Sequence, residues 1–414
     1  MDADCVDGLT RVGTLAHDRG QIRFHYEASW LKNPAAFCLD PQLTLDKAPF
    51  FPIAEASNFG VFLDSSPDRW GRTLMKRREA LEAKDEGRAQ RQLYAWDFLL
   101  GVQDFTRQGA LRFKFPGSSE FLGAHKLPAP PVSSLRELEN IAFELSAKKI
   151  ENLDALREWL AVLVAPGASL GGARPKANFT AEDGTLWIAK FPARDDTRDI
   201  GAWEAALHTL AEKSGVDVPP CRALRLSSEF HTFCAQRFDR ASGRRKFYSS
   251  AMTMLQKSDG DSGSYLEVAE FLRKNGAKGH IADDLGQLFR RVVFNVMAGH
   301  RDDHLRNHGF IMTAHGWRLS PAFDLNPIID KPDHVLALDD ADNRPSIGTV
   351  LSTSELYGLT ASQAEAIVEQ IRGAVRNWPQ VAKKLGISSA DIDLTEAAFG
   401  AIDREPAPVA PARP

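Results

Sequence analysis

The densest cluster of polar functional groups in the chain is His300-Arg301-Asp302-Asp303-His304-Leu305-Arg306-Asn307. A carboxylate in such a cluster can orient a hydroxyl and take its proton. Carboxylate and amide oxygens are the hard donors that Mg²⁺ prefers. A second acidic segment, Phe323-Asp324-Leu325-Asn326-Pro327, places Asp324 seventeen residues after Asn307. Phosphoryl transfer needs a carboxylate for the acceptor hydroxyl, plus an amide oxygen and another carboxylate to hold the cation across the phosphates. Asp302 can supply the first, and Asn307 with Asp324 the others. The spacing also fits the kinase catalytic-loop pattern H-R-D-x-x-x-x-N. Two plainer readings stand beside it. Asp and Asn are common turn residues, so a polar turn with caps would look similar. His300, Asp302 and His304 could also begin a metal-hydrolase site, although no further His or Glu cluster completes one at recognisable spacing.

Upstream segments could handle phosphates. Gly171-Gly172-Ala173-Arg174-Pro175-Lys176 has glycines where a backbone must approach anionic oxygens closely. It lacks the Gly-Lys pair of the Walker pattern, and an ordinary helix-to-strand turn also explains it. Lys190 ends the apolar run Leu186-Trp187-Ile188-Ala189, and Glu204 lies fourteen residues later on a predicted helix. A strand Lys paired with a helix Glu is how kinases hold the α- and β-phosphates. Gln236-Arg237-Phe238-Asp239-Arg240 ends a strand-rich stretch. It could offer backbone groups to adenine with Phe238 against the ring, or be a simple strand end.

These residues must be positioned by regular elements. Alternation over Ile22, Phe24 and Tyr26 predicts a hairpin of Arg11–Ala16 with Gln21–Tyr26 around Asp18-Arg19-Gly20. Ser66-Pro67 reads as the N-terminal cap of a helix carrying Trp70, Leu74 and Met75. A second apolar helix is expected over Leu93–Leu100. Pro128, Pro130 and Pro131 mark a break. A helix over Leu153–Leu163 is expected to end at Pro166-Gly167, followed by a hairpin of Lys176–Thr180 with Thr185–Phe191 through Asp183-Gly184. Ala202–Lys213 reads as a helix stopped by Gly215. Leu285, Leu288, Phe289, Val292, Val293 and Val296 form an apolar helical stripe running into His300. A strand, Gly309–Met312, is expected after the loop. Thr360 with Gln363 predicts a capping box. The expected organisation is residues 1–130, 131–240, 241–404 and a disordered tail over 405–414. The fold class is α+β, two-lobed and protein-kinase-like, with a strand-rich N-terminal part and a mainly helical C-terminal lobe.

Composition narrows the classes. The chain has 414 residues, 43% hydrophobic and 26% charged, as in ordinary soluble proteins. A net charge of −4 argues against a global attraction to nucleic acid or an anionic membrane. Cys5, Cys38, Cys221 and Cys234 are scattered, with no zinc or CxxC spacing, which suits a reducing cytoplasmic setting. No secretory signal and no apolar run of membrane-spanning length is expected.

In this order, Ser169, Gly171-Gly172, Lys176, Lys190, Glu204, Gln236–Arg240, Asp302-x-His304-x-x-Asn307 and Asp324 resemble the HipA family, kinase toxins of bacterial toxin–antitoxin pairs. Val12-Gly13-Thr14-Leu15, Phe24-His25-Tyr26 and Asp68-Arg69-Trp70-Gly71-Arg72 resemble that family's N-terminal subdomain. The resemblance implies a serine/threonine-protein kinase using ATP and Mg²⁺, with Asp302 as catalytic aspartate and His304 beside it. It implies Asn307 and Asp324 as metal ligands. Ser169, Gly171, Gly172, Ala173, Lys176, Lys190, Glu204, Gln236 and Phe238 fall on the nucleotide side. Ser169 matches the serine that family members autophosphorylate. The implied partners are a helix-turn-helix antitoxin of HipB type, which carries the contact to DNA, and a protein substrate such as an aminoacyl-tRNA synthetase, in a persistence pathway. Arg174-Pro175, Asp303 and Gln236 depart from the family pattern, which bears on substrate identity more than on chemistry. Two other expectations remain: a small-molecule kinase of the aminoglycoside type, and a non-catalytic co-repressor bound to a DNA-binding antitoxin.

Overall fold

The computed structural model describes residues 1–5, 8–53, 56–124, 129–146, 153–163 and 174–402. The chain forms two units, one of residues 1–196 and 224–249, the other of 197–223 and 250–414. Residues on both sides of the proline break near 130 therefore belong to the first unit. The helix predicted at 202–213 belongs to the second. The tail over 405–414 lies outside the described residues, as do Pro166-Gly167, Ser169, Gly171, Gly172 and Ala173.

In the first unit, β1 (Asp2–Cys5) is central to an antiparallel sheet, between β2 (Gly8–Arg11) and β5 (Leu111–Arg112). The expected hairpin is present as β3 (Gly13–Asp18) and β4 (Gln21–Tyr26), in register from Gly13–Tyr26 to Asp18–Gln21. Its two-residue loop has φ of 48° at Arg19 and 83° at Gly20, the positive values such a tight hairpin requires. Ile22, Phe24 and Tyr26 all point inward.

Helix α1 (Arg69–Asp85) begins later than Ser66-Pro67 suggests. Asp68 is its N-cap and accepts from the Gly71 amide at 2.7 Å. Ser66 instead bonds back to the Phe62 carbonyl at 2.7 Å, closing the preceding short helix. A carboxylate able to reach the third residue onward outcompetes a hydroxyl already satisfied behind it.

Helices α2 (Leu135–Leu145) and α3 (Leu153–Leu163) pack with α1 onto β6 (Lys176–Thr180) and β7 (Leu186–Lys190). Trp70, Leu74, Leu138, Leu160, Phe179 and Trp187 are among the buried residues of this layer. β6 and β7 pair from Lys176–Lys190 to Thr180–Leu186, and β8 (Thr232–Gln236) pairs antiparallel with β7.

The second unit is mainly helical. Asp199 caps α4 (Ile200–Lys213) by accepting from Ala202, and Gly215 at φ 74° ends it. α5 (Tyr265–Asn275) and the long α6 (Ile281–Met297) pack together. The apolar stripe of α6 is buried as expected, and Asp284, Arg291 and Asn295 are buried with it. The hairpin of β9 (Gly309–Thr313) and β10 (Gly316–Leu319) follows. α7 (Ala361–Val375) carries the predicted capping box, with Gln363 N to Thr360 Oγ1 at 3.3 Å and Thr360 N to Gln363 Oε1 at 2.9 Å. Among the described residues, no helix is long and apolar enough to cross a membrane.

Candidate active site

The buried stripe of α6 delivers the chain to Gly299, whose φ of 65° turns it sharply. A Cβ there would lie 2.3 Å from the Ala398 carbonyl oxygen, so no side chain fits without displacing backbone. His300–Asn307 then forms the loop between α6 and β9, in the setting its sequence predicts. Its last three residues, Leu305–Asn307, make one 3₁₀ turn, closed by Asn307 N donating to the His304 carbonyl at 2.8 Å. Leu305 is buried and anchors the turn.

Asp302 and Asn307 come together through this turn. Asn307 Nδ2 donates to the Asp302 carbonyl oxygen at 3.3 Å. The amide nitrogen faces Asp302, so the amide oxygen is the group left for a cation. Asp302 is half-exposed, and its carboxylate accepts from Lys331 Nζ. Half-buried His304 has no hydrogen-bond partner at Nδ1 among the described residues.

The loop is held from below by Asp303, a departure from the family pattern to which the sequence alone assigns no role. Tyr265 Oη, Asn295 Nδ2 and His308 Nε2 all donate to Asp303 Oδ2, at 2.8, 2.6 and 2.8 Å. Arg291 Nη1 lies 3.3 Å from His308 Nδ1. A guanidinium can only donate, so Nδ1 accepts and Nε2 carries the proton given to Asp303. Burial pushes the His308 pKa down, against the pull of Asp303, which agrees with this neutral tautomer. Burial alone would raise the Asp303 pKa, but His308 and His300 hold it well below the usual carboxylate range. His300 Nε2 is 3.7 Å from Asp303 Oδ1, too far for a hydrogen bond, so their attraction is coulombic. It outweighs burial and raises the His300 pKa. Asn295 and Arg291 were the available signal: two polar residues inside an otherwise apolar helical stripe need buried partners.

Asp324 follows β10 on a loop whose start is fixed by Ser320 N to the Gly309 carbonyl, 2.9 Å, and Ala322 N to the Asp217 carbonyl, 2.8 Å. Its φ is 61°, the left-handed region that non-glycine residues rarely occupy. Such a conformation in a polar loop is the kind of local strain that clusters at functional sites. Leu325 beside it is buried, and the His300 ring meets the Asn326 backbone, with Nδ1 3.0 Å from O and 3.3 Å from N. Asp302, Asn307 and Asp324 thus share the second unit. The Asn307 amide and the Asp324 carboxylate are hard oxygen donors, and too few to enclose a metal. That set suits Mg²⁺, which keeps waters and phosphate oxygens in its shell.

The remaining expected residues divide. Lys190 ends β7 in the first unit and lies over the Phe233 ring, 5.7 Å from its centroid. Glu204 is buried on α4 in the second. Gln236 ends β8, and half-buried Phe238 packs on Tyr248 at 6.0 Å. Between and beyond them, Arg237 and Asp239 are buried and joined, with Arg237 Nη1 also donating to the Thr106 carbonyl and Asp239 accepting from Gly109 N. Lys176 is 1% exposed and bonded to Asp68 Oδ2 at 2.5 Å, and its carbonyl accepts from Trp70 Nε1. It ties α1 to β6, which is a different use from the phosphate contact expected of it.

Comparison with known proteins places the chain in a family and a fold. The model of the HipA N-terminal domain matches residues 5–91, and that of the HipA-like C-terminal domain matches 168–378. A Sinorhizobium fredii protein bearing the name "Putative kinase Y4mE" is 26% identical over 353 residues, covering 78% of this chain and 76% of that protein. A Haemophilus influenzae protein named "Putative kinase" is 24% identical over 190 residues, 40% of this chain. That match spans 54% of the relative's own length. The fold is shared with HipA of Shewanella oneidensis MR-1, solved with HipB and its operator DNA. The TM-score is 0.68 at 16% identity, over 97% of this chain and 96% of that one. With the C-terminal match alone spanning more than half of the 414 residues, the chain belongs to the HipA family.

Proposed function

We propose that this chain is an ATP- and Mg²⁺-dependent serine/threonine protein kinase that acts as the toxin of a toxin–antitoxin pair. The observation that carries the reading is the joining of Asp302 and Asn307 by one 3₁₀ turn, with Asp324 held in a left-handed kink of the same unit. Asp302 orients the acceptor hydroxyl and receives its proton. Asn307 and Asp324 hold the cation, which when bound neutralises phosphate charge. Asp303 fixes the loop backbone so that Asp302 need not reorganise during transfer. Lys190, Gln236 and Phe238 are assigned to the nucleotide by the family pattern, and Ser169 to autophosphorylation. Phosphate on Ser169 would add about −1.5 to −2 charge to the glycine-containing segment and oppose nucleotide binding.

A HipB-type antitoxin is the proposed partner, supported by the HipA–HipB–operator assembly of the Shewanella relative. The proposed substrate class is a component of translation such as an aminoacyl-tRNA synthetase. Transfer of labelled phosphate from ATP is the test. Asp302→Ala should abolish it while circular dichroism stays unchanged, and Asp324→Ala should remove the Mg²⁺-dependent part of nucleotide binding. Undiminished transfer by Asp302→Ala would sink the assignment.

A further inference from the structure

Lys331 lies seven residues beyond Asp324, and its ammonium donates to Oδ1 of Asp302. Both side chains are nearly half exposed, 46% and 47%. An exposed ion pair of this kind adds little to stability, so stability does not explain it. The backbone that carries Lys331 is nevertheless tightly placed. Ile328 N donates to the Gly299 carbonyl at 2.9 Å, and Val335 N to the Arg301 carbonyl at 3.0 Å. Arg301 Nη1 reaches the carbonyls of Ile328 and Lys331, at 3.1 and 2.8 Å. The segment from Asn326 to Val335 is therefore stitched to Gly299–Arg301, immediately before Asp302. Arg301, which the loop pattern would suggest as a charged partner, is occupied by these carbonyls. Arg306 is turned to Asp259, with both bonds at 3.0 Å. Among the described residues, Lys331 is the cation held against the reactive carboxylate.

Charge spreads over three oxygens of the phosphoryl group during transfer, and Asp302 brings a further negative charge beside them. A mobile point charge on a fixed backbone is suited to that place. We propose that Lys331 is a catalytic residue, holding Asp302 towards the acceptor before nucleotide arrives and donating to a terminal-phosphate oxygen during transfer. The inference rests on the kinase reading above. In the step, the acceptor oxygen forms a bond to the terminal phosphorus and the bond from that phosphorus to the bridging oxygen breaks. ADP leaves, and the hydroxyl proton passes to Asp302 and then to solvent. Lys331 stays protonated throughout.

Two measurements on the full chain test it. The first is labelling with an acyl-phosphate derivative of ATP, which acylates lysine amines lying against the nucleotide phosphates. Lys331 should be acylated together with Lys190, and excess ATP should protect both. The second is steady-state transfer. Lys331→Ala should lower kcat about 10²-fold, the loss typical of one transition-state donor, with little change in KM for ATP. Lys331→Arg should restore part of it. A kcat for Lys331→Ala within twofold of wild type overturns the proposal, as does acylation of Lys190 without Lys331. If neither lysine is acylated and the wild type transfers no phosphate, the kinase reading fails and takes this role with it.

Discussion

Buried histidines give the residue scale its clearest test. His334 is 2% exposed, and neither ring nitrogen has a partner among the described residues. Burial, reinforced by the charge of His300, pushes its pKa down to about 4. The unfolded chain binds a proton near 6.5, so between those values the unfolded state holds more protons. Stability from neutral His334 is therefore fully present above about pH 6.5 and is lost as pH falls towards 4, by ~3 kcal/mol in all. His334→Leu should flatten this stretch of the stability–pH curve in urea titrations from pH 7 to 4. An unchanged slope would mean that the ring takes up its proton as readily in the fold as in the unfolded chain. His300 titrates in the opposite sense, which is why the difference between variant and wild type is the quantity to measure. At this scale the sequence was partly legible. Residue types and spacing picked out the His300–Asn307 loop. They could not reveal Asp303 at the centre of a buried network, because Tyr265 reaches it across 38 positions. Nor could they reveal Lys331, which in sequence is one exposed lysine among many.

Elements were more legible where their signals are local. The β3–β4 turn, the Thr360 capping box and the stop at Gly215 all depend on residues a few positions apart. The start of α1 was misplaced because Asp68 does two things, and only one is local. It caps α1 through Gly71, and it is the buried partner of Lys176 more than a hundred residues away. That pair joins α1 to the edge of β6 and decides what Lys176 is for. Removing one member of a buried ion pair strands the other charge, which typically costs about 3–5 kcal/mol. Lys176→Met should lose about that much stability in urea unfolding. Replacing both, as Asp68→Leu with Lys176→Met, should recover most of it, less about 1 kcal/mol for the lost cap. If Lys176→Met instead raised KM for ATP at unchanged stability, the phosphate contact expected from the sequence would be the better account.

For the molecule as a whole, charge decides how it can meet DNA. With 51 Lys and Arg against 55 Asp and Glu, the chain has no general attraction for a polyanion. Many of its arginines are also committed internally. Arg107 donates to three backbone carbonyls, and Arg237, Arg240 and Arg245 are bound to Asp239 or Asp104. Desolvation at these buried sites pushes Arg107 and Arg240 down to about 9. They remain charged at neutral pH, yet they face carbonyls and carboxylates instead of solvent. A protein's salt dependence on duplex DNA counts the phosphates it neutralises, with a slope of about −0.9 per contact. If this chain acts on an operator through a HipB-type partner, it should bind operator fragments negligibly alone. Added to the antitoxin, it should tighten binding by cross-linking or ordering the partner. The slope of log K against log salt should then stay within about one contact of the antitoxin's own. Fluorescence anisotropy from 50 to 300 mM salt, with and without the chain, separates the cases. A slope steeper by several contacts would mean that a basic face of this chain touches phosphate directly, and the reading of its surface would have to change.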